Sequence, residues 1–476
     1  MKKFYITTAI PYVNARPHVG HALEFVQTDC LARFHRILGH ETLLLSGSDE
    51  NALKNVQAAE QANIPIEVFV EQNAHLFREL AEKLNVKIDV FQKGSNQETH
   101  FPSSQELWKR CDAHGDIYQK QYEGLYCVGC EAFYAQDELN EKGECPYHPG
   151  KKIEKVSEKN YFFNLSRYQD QIIDLIKKDT LKIVPEIRKN EIMAFLKEPL
   201  KDISISRSNE RARNWGVPVP GDDTQRIYVW FDGLNIYQSG VGFGWDEKMY
   251  KKWWPADVHV LGKDIIRFHA VYWPAFLLSA GLELPKTLFV HGFITSKGQK
   301  MSKSVGNVID PLELINVYGV DAVRYYLLRE IPSGRDGDIS HDRFKELFNS
   351  DLANGLGNLI SRIAKLCEGI AIMKPSFNGF SGKFIDLMKD FQFDSALELV
   401  WNDIRNLDRY INSTEPWKLK ANEEGLSKVM QPAINDMVNI AYHLEPFLPE
   451  TAEKIIRQFT NGAIKAGEPY FKRIAK

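Results

Sequence analysis

Over the first hundred residues, short β-rich runs alternate with stretches of helical apolar spacing, and that alternation leaves few folds open. Residues 4–10 form one such run and 41–46 a second, closed by Gly47. The stretches 19–38, 51–62 and 66–84 have helical apolar spacing. The pattern predicts an α/β fold, a parallel sheet covered by helices. Ligands of such sheets bind beyond the carboxyl ends of the strands, which here are 11–21 and 47–51. From about residue 112 to 201 the texture changes. Cysteines, glycines and charges crowd between 126 and 155, followed by a helix-like stretch at 165–178. This reads as an insertion into the sheet. Strand signals resume at 226–231, 258–261 and 287–290. Beyond Tyr318 the pattern is helical almost to the end, over 321–330, 341–370, 380–413 and 426–459.

Two motifs point to phosphate chemistry. Thr8-Ala9-Ile10-Pro11-Tyr12 leads into Pro17-His18-Val19-Gly20-His21. Pro17 suits the start of a helix, whose free N–H groups and positive dipole end attract phosphate. His18 and His21, three apart, share a face near that end, and Gly20 leaves room there for a flat base or a ribose. Alone, H-x-G-H fits equally well two surface histidines on a capped helix. Some 280 residues later comes Gly298-Gln299-Lys300-Met301-Ser302-Lys303-Ser304, a glycine-led loop with two lysines. Such lysines can neutralise charge growing on a leaving pyrophosphate. The two motifs together in one α/β chain are far more specific than either.

A third constellation is metal-like. Cys127-x-x-Cys130 and, 14 residues on, Cys145-x-x-His148 can close a tetrahedral site of three thiolates and one imidazole. That donor set favours a structural Zn²⁺ and leaves no open position for catalysis. Cys30, Cys111 and Cys367 lack such partners and are expected as buried small residues. Six cysteines in 476 residues do not make a disulfide scaffold.

Composition enters by exclusion. Lys+Arg (60) against Asp+Glu (63) gives a net charge of −3, which excludes a polybasic nucleic-acid binder but not a local RNA-binding face. The 15-residue apolar stretch from Phe268 to Leu282 contains His269 and Pro274 and is too short to span a membrane. Residues 4–10 imitate a signal peptide, but Pro11, Asn14, Arg16 and His18 break the run. A cytoplasmic protein is expected, with no membrane partner.

The H-x-G-H and K-M-S-K-S pair resembles the signatures of class I aminoacyl-tRNA synthetases, the first with Val19 at its second position. Further stretches narrow the resemblance to the methionyl-tRNA synthetase family. They are Thr8 to Asn14, Ser206-Arg207, Trp215 to Pro220, Val229-Trp230-Phe231-Asp232, and Gly262 to His269 followed by Trp273-Pro274-Ala275. The resemblance implies a Rossmann-like sheet domain in two halves, 1–112 and 206–320. A connective insertion with a zinc knuckle at 113–205 divides them, and the knuckle would order the acceptor end of the RNA. A stem-contact linker at 321–355 and a helical anticodon-binding bundle at 356–476 would follow.

It further implies a methionine–tRNA ligase that uses ATP with Mg²⁺, in which His18, Gly20, His21, Lys300, Met301, Ser302 and Lys303 hold the nucleotide and His18, His21, Lys300 and Lys303 do the catalytic work. Ile10, Tyr12, Trp230, Gly233, Leu234, Tyr237, Ile265 and His269 would surround methionine, with Asp49 on its ammonium. A thioether is apolar and polarizable, so aromatic walls suit it. Asn358, Arg362 and Trp417 would read the CAU anticodon of tRNA(Met), by hydrogen bonding and stacking. From residue 356 on there are 16 Lys+Arg and 15 Asp+Glu, so binding there must rest on a few placed groups.

This sequence departs from the family at Gly233, commonly Ala, and at Asn51, commonly His. A monomer is expected, since the chain ends without the appended domain that some relatives carry. The remaining alternatives are a leucyl- or cysteinyl-type synthetase, disfavoured by size and by zinc placement, and a catalytically silent paralogue serving as an RNA-binding scaffold.

Overall fold

A computed structural model describes residues 2–130, 132–134, 136–148, 150–151, 153–296, 298–301, 309–419, 422–460 and 462–474. The chain divides into two compact units. The first comprises 1–17, 39–79 and 87–291; the second comprises 18–38, 80–86 and 292–476.

The first unit is built on a six-stranded sheet of β1 (Lys3–Thr7), β2 (Glu41–Ser48), β3 (Val90–Lys93), β4 (Lys182–Val184), β5 (Val258–Gly262) and β6 (Thr287–His291). Their order is β3-β2-β1-β5-β6-β4, and every pairing is parallel. Strands buried on both faces read as continuous apolar runs; Leu43, Leu44 and Leu45 of β2 and all of β5 are buried. Helices His100–Ala113 and Trp273–Ser279 contribute Leu107, Trp108, Cys111 and Phe276 to the same core as Leu45, Leu288 and Val290. The strand order reverses direction at the β1/β5 junction, the place where doubly wound sheets open a ligand crevice.

The insertion contains more strand than its sequence suggested. Ile117–Cys127 pairs antiparallel with Glu154–Phe163 along its whole length, and Ala132–Tyr134 and Ile203–Ser204 complete a four-stranded sheet. The helical stretch expected at 165–178 is present as a 3₁₀ turn, Leu165–Tyr168, running into the helix Gln169–Lys177.

One expected strand is corrected. The β-rich run 226–231 ends as a strand at Ile227, and Val229–Leu234 is a helix. Its turn is closed by Phe231 N–H and Asp232 N–H donating to the Tyr228 carbonyl. β-branched and aromatic residues favour a strand only weakly, and here a buried polar network outweighs them. The Asp232 carboxylate accepts from Ser104 Oγ (2.9 Å) and Asn51 Nδ2 (2.6 Å) and pairs with His100 Nε2 (2.6 Å).

The second unit is mostly helical. Its helices include Val19–Ile37, Val320–Arg329, Asn358–Leu366, Phe393–Thr414, Glu423–Leu444 and Pro449–Thr460. Arg324, fully buried, pairs with Asp29 of the first of these at 2.8 Å. It also donates to the carbonyls of Leu84 (3.1 Å), Pro446 (3.0 Å) and Phe447 (2.8 Å). A buried guanidinium is tolerated only when satisfied in this way. Among the described residues no helix is long and apolar enough to cross a membrane. Cys30, Cys111 and Cys367 are buried free thiols, as expected.

Candidate functional site

Of the residues expected around methionine, Ile10, Tyr12, Asp49, Ile265 and His269 follow the carboxyl ends of β1, β2 and β5, and Trp230, Gly233, Leu234 and Tyr237 lie on the helices Val229–Leu234 and Ile236–Ser239. Tyr12 and Asp49 form a bridge, with Asp49 N–H donating to the Pro11 carbonyl at 2.8 Å. Trp230 meets Tyr12 edge to face, at 6.1 Å between centroids and 89° between planes, and stacks flat on Phe268 at 3.7 Å. Its other edge-on neighbour is His269, at 6.2 Å. Tyr237 and His269 are 1% exposed and Trp230 is 8% exposed, so the cluster excludes water. Ile10 and Ile265 pack on the same core, and Leu234 lies within it.

Hydrogen bonds fix the state of His269. Its Nδ1 lies 3.0 Å from the Ile265 carbonyl, which can only accept, so Nδ1 carries the proton. Nε2 then accepts from the Tyr237 hydroxyl at 2.8 Å. Burial pushes the His269 pKa down to about 4. Burial, helped by His269, also holds His259 well below the usual range. Both rings are therefore neutral at pH 7, as an apolar ligand requires.

The two departures noted in the sequence meet in this cluster. A β-carbon on Gly233 would stand 2.8 Å from Asp49 Oδ2, so the carboxylate occupies the space a side chain would fill. Asn51 serves as a neutral double donor, to Asp232 and to the Gly94 carbonyl at 2.8 Å.

The H-x-G-H motif lies in the second unit, at the start of the helix Val19–Ile37. Gly20 N–H donates to His18 Nδ1 (3.0 Å) and His18 N–H donates to His21 Nδ1 (3.1 Å), a reciprocal cap. In neutral rings, accepting at Nδ1 leaves the proton on Nε2 of each histidine. The motif thus presents two Nε2–H donors with rings 4.0 Å apart. Gly20 is needed locally, because a β-carbon there would stand 2.8 Å from His18 Cε1.

The second phosphate motif begins in a turn organised by Asp338, which accepts from Thr295 Oγ1 and Gly298 N–H, both at 2.8 Å. Lys300 ends the short strand Gln299–Lys300, and Met301 follows it. Ser302 and Lys303 lie outside the described residues, as does the Lys300 side chain.

Cys127, Cys130, Cys145 and His148 converge, with all four ligand atoms within 4.8 Å of one another. Cys130 Sγ lies 3.3 Å from Cys145 Sγ and 3.2 Å from His148 Nδ1, while Cys127 and Cys145 are each 3.9 Å from that nitrogen. Tetrahedral Zn²⁺ with bonds of about 2.3 Å to sulfur and about 2.0 Å to nitrogen would separate its ligands by roughly 3.5–3.8 Å, so the donors fit such an ion. The hydrogen bond from Cys130 pulls the Cys127 thiol well below its usual range, against the cost of burial. Tyr134 donates to Cys130 Sγ at 3.0 Å, as an outer-shell group should. Gly129 is required, since a β-carbon would stand 2.6 Å from the His148 ring.

In the helical region, Asn358 and Arg362 line one open groove of about 670 Å³ with Asn354, Arg405, Asp408 and Arg409. Arg362 donates to Asp408 at 2.6 Å and to Asn412 at 3.1 Å. Trp417 does not line this groove; it is 41% exposed, on the 3₁₀ turn Pro416–Leu419. Sequence reasoning missed Arg405, Asp408 and Arg409. Their i, i+3, i+4 spacing on one helix was the available signal.

Comparison with known proteins identifies the family. The family described as tRNA synthetases class I (M) matches residues 4–156 and 149–364. A methionine–tRNA ligase of Brucella suis is 41% identical, over 96% of this chain and 91% of its own length. That of Thermotoga maritima is 38% identical, over 99% and 80% respectively. The structure of Mycobacterium tuberculosis methionyl-tRNA synthetase in complex with methionyl-adenylate superposes with a TM-score of 0.91. It is 36% identical, over 99% of this chain and all of that one. The chain belongs to the methionyl-tRNA synthetases, in class I of the aminoacyl-tRNA ligases.

Proposed function

We propose that the chain joins methionine to tRNA(Met) in two steps and that the residues above divide the work. In the first step the methionine carboxylate attacks the α-phosphorus of ATP and pyrophosphate leaves. The protein forms no bond; orientation and charge stabilisation carry the rate. Tyr12, Trp230, Tyr237 and His269, with Ile10, Leu234 and Ile265, receive the thioether. Asp49, beside Gly233, takes the ammonium. The Nε2–H groups of His18 and His21 donate to phosphate oxygens near a helix N-terminus. Gly20, Lys300, Met301, Ser302 and Lys303 complete the nucleotide's surroundings, the lysines facing the departing charge. Mg²⁺, carried in with ATP, would supply further neutralising charge to the phosphates that His18, His21 and the lysines hold. In the second step a terminal ribose hydroxyl of the tRNA attacks the carbonyl carbon and AMP leaves. Asn358 and Arg362 read anticodon bases in their groove, and Trp417 offers a stacking face. Zn²⁺ held by Cys127, Cys130, Cys145 and His148 supplies a structural crosslink.

The observation that carries the amino-acid assignment is the buried aromatic cluster, with its histidines neutral and the Asp49 carboxylate beside it. ATP–pyrophosphate exchange with each of the twenty amino acids tests it. Exchange is expected with methionine; exchange driven by leucine or cysteine instead would overturn the reading.

A further inference from the structure

Lys54 stands in the first turn of the helix Leu53–Ala62, whose N-cap, Ala52, supplies no side-chain cap. A cation is disfavoured at the positive end of a helix, so its placement calls for compensation elsewhere. Two contacts with described residues contribute to it. The ammonium lies over the face of Tyr12, 3.1 Å from the ring centroid, and donates to the Gly129 carbonyl at 3.3 Å. A half-buried cation on an aromatic face restrains the ring. The next carbonyl in the chain, that of Cys130, accepts from Trp230 Nε1 at 3.2 Å. Two successive carbonyls of the Cys127–Cys130 ligand loop therefore each hold a side chain that is, or touches, a wall of the methionine cluster. The loop's shape is in turn the one that brings Cys127, Cys130, Cys145 and His148 together, with the His148 ring closing over Gly129.

We propose that Lys54 is a positioning residue for methionine, clamping Tyr12 to the metal-ligand loop, so that the state of that loop is read directly in methionine affinity. This rests on the reading of Tyr12 and Trp230 as walls of the amino-acid pocket. The knuckle is thereby a support for the small substrate, in addition to any part it plays toward RNA.

The test is an equilibrium titration of the full chain with methionine, followed by tryptophan fluorescence, before and after metal removal with EDTA. Lys54→Met should raise the methionine dissociation constant about 5- to 20-fold, between the values expected of an exposed and of a desolvated cation–π contact. ATP affinity and the thermal midpoint should not change, and Lys54→Arg should stay within about twofold of the parent. Stripping the metal should weaken methionine binding in the parent and add little in Lys54→Met. A Lys54→Met chain that binds methionine like the parent, or one that loses ATP affinity equally, overturns the proposal. If that variant does not fold, the parent decides: methionine affinity unchanged by stripping overturns it as well. Trp230→Ala separates the two levels, since unaltered methionine binding there would reject the pocket reading itself.

Discussion

The aromatic cluster proposed to receive methionine and the groove beside Asn358 proposed to receive RNA stand in opposite electrostatic settings. In the aromatic cluster, Tyr237 and His269 are 1% exposed and the histidines are held neutral by burial. In the groove the side chains of Arg362, Asp408 and Arg405 are 35%, 47% and 48% exposed, and their charges are paired through solvent-accessible bridges. Exposed pairs of that kind are worth about 0–1 kcal/mol, so an arriving base can replace them at little cost. A buried wall cannot exchange partners so cheaply. It discriminates by shape and by the penalty for leaving a polar group unsatisfied. Under the proposed function, the contrast means that one chain receives a thioether through desolvation and an RNA through exchangeable charge. A net charge of −3 is no obstacle to the second.

The largest consequence is acid sensitivity on the buried side. The folded His269 pKa, about 4, lies below the unfolded value of about 6.5. As pH falls below 6.5 the unfolded chain takes up a proton that the folded chain refuses, so stability is lost until pH 4 and is full above pH 6.5. Linkage puts that loss at about 3 kcal/mol. Urea unfolding at pH 7, 5.5 and 4 should show it, and His269→Gln should remove this share of the slope. A variant with the parent's slope would place the acid sensitivity elsewhere.

What could be read from the sequence divides along the same line as what is local and what is distant. His18-Val19-Gly20-His21 and Cys127-x-x-Cys130 carry their geometry within a few residues, so spacing alone suggested a helix start and a metal loop. The alternation of the first hundred residues likewise announced the parallel sheet. Trp230 was misplaced on a strand because nothing nearby reports that Asp232 will find His100, Ser104 and Asn51, residues more than a hundred positions away. Lys54 on Tyr12 and Arg324 on Asp29 were illegible for the same reason. Each is a long-range contact of a charged side chain that local pattern assigns to a solvated face.

An intermediate effect is expected in the groove. Arg362→Leu should lower charging efficiency with tRNA about 5- to 150-fold, the loss of one base contact worth about 1–3 kcal/mol. Its partner Asp408 is solvated, so stability should change by less than about 1 kcal/mol. ATP–pyrophosphate exchange should not change at all. A parallel fall in exchange would break the separation between the two regions.

The smallest effect tests the closest contact in the buried cluster. Alanine in place of Gly233 should favour the helix Val229–Leu234 by up to about 1 kcal/mol, because glycine costs more chain entropy on folding. Its β-carbon, however, would stand 2.8 Å from Asp49 Oδ2, and the carboxylate must retreat. Asp49 is 5% exposed, so it has little room to do so. The methionine KM should therefore rise about 5- to 10-fold, a penalty of about 1 kcal/mol, while the thermal midpoint holds or rises and the tRNA KM stays put. Stability and substrate affinity moving in opposite directions is the signature of a carboxylate placed by the absence of a side chain. If both fall together, the helix itself has shifted. If neither moves, Asp49 does not touch the substrate, and the ammonium must be held by another group in the cluster.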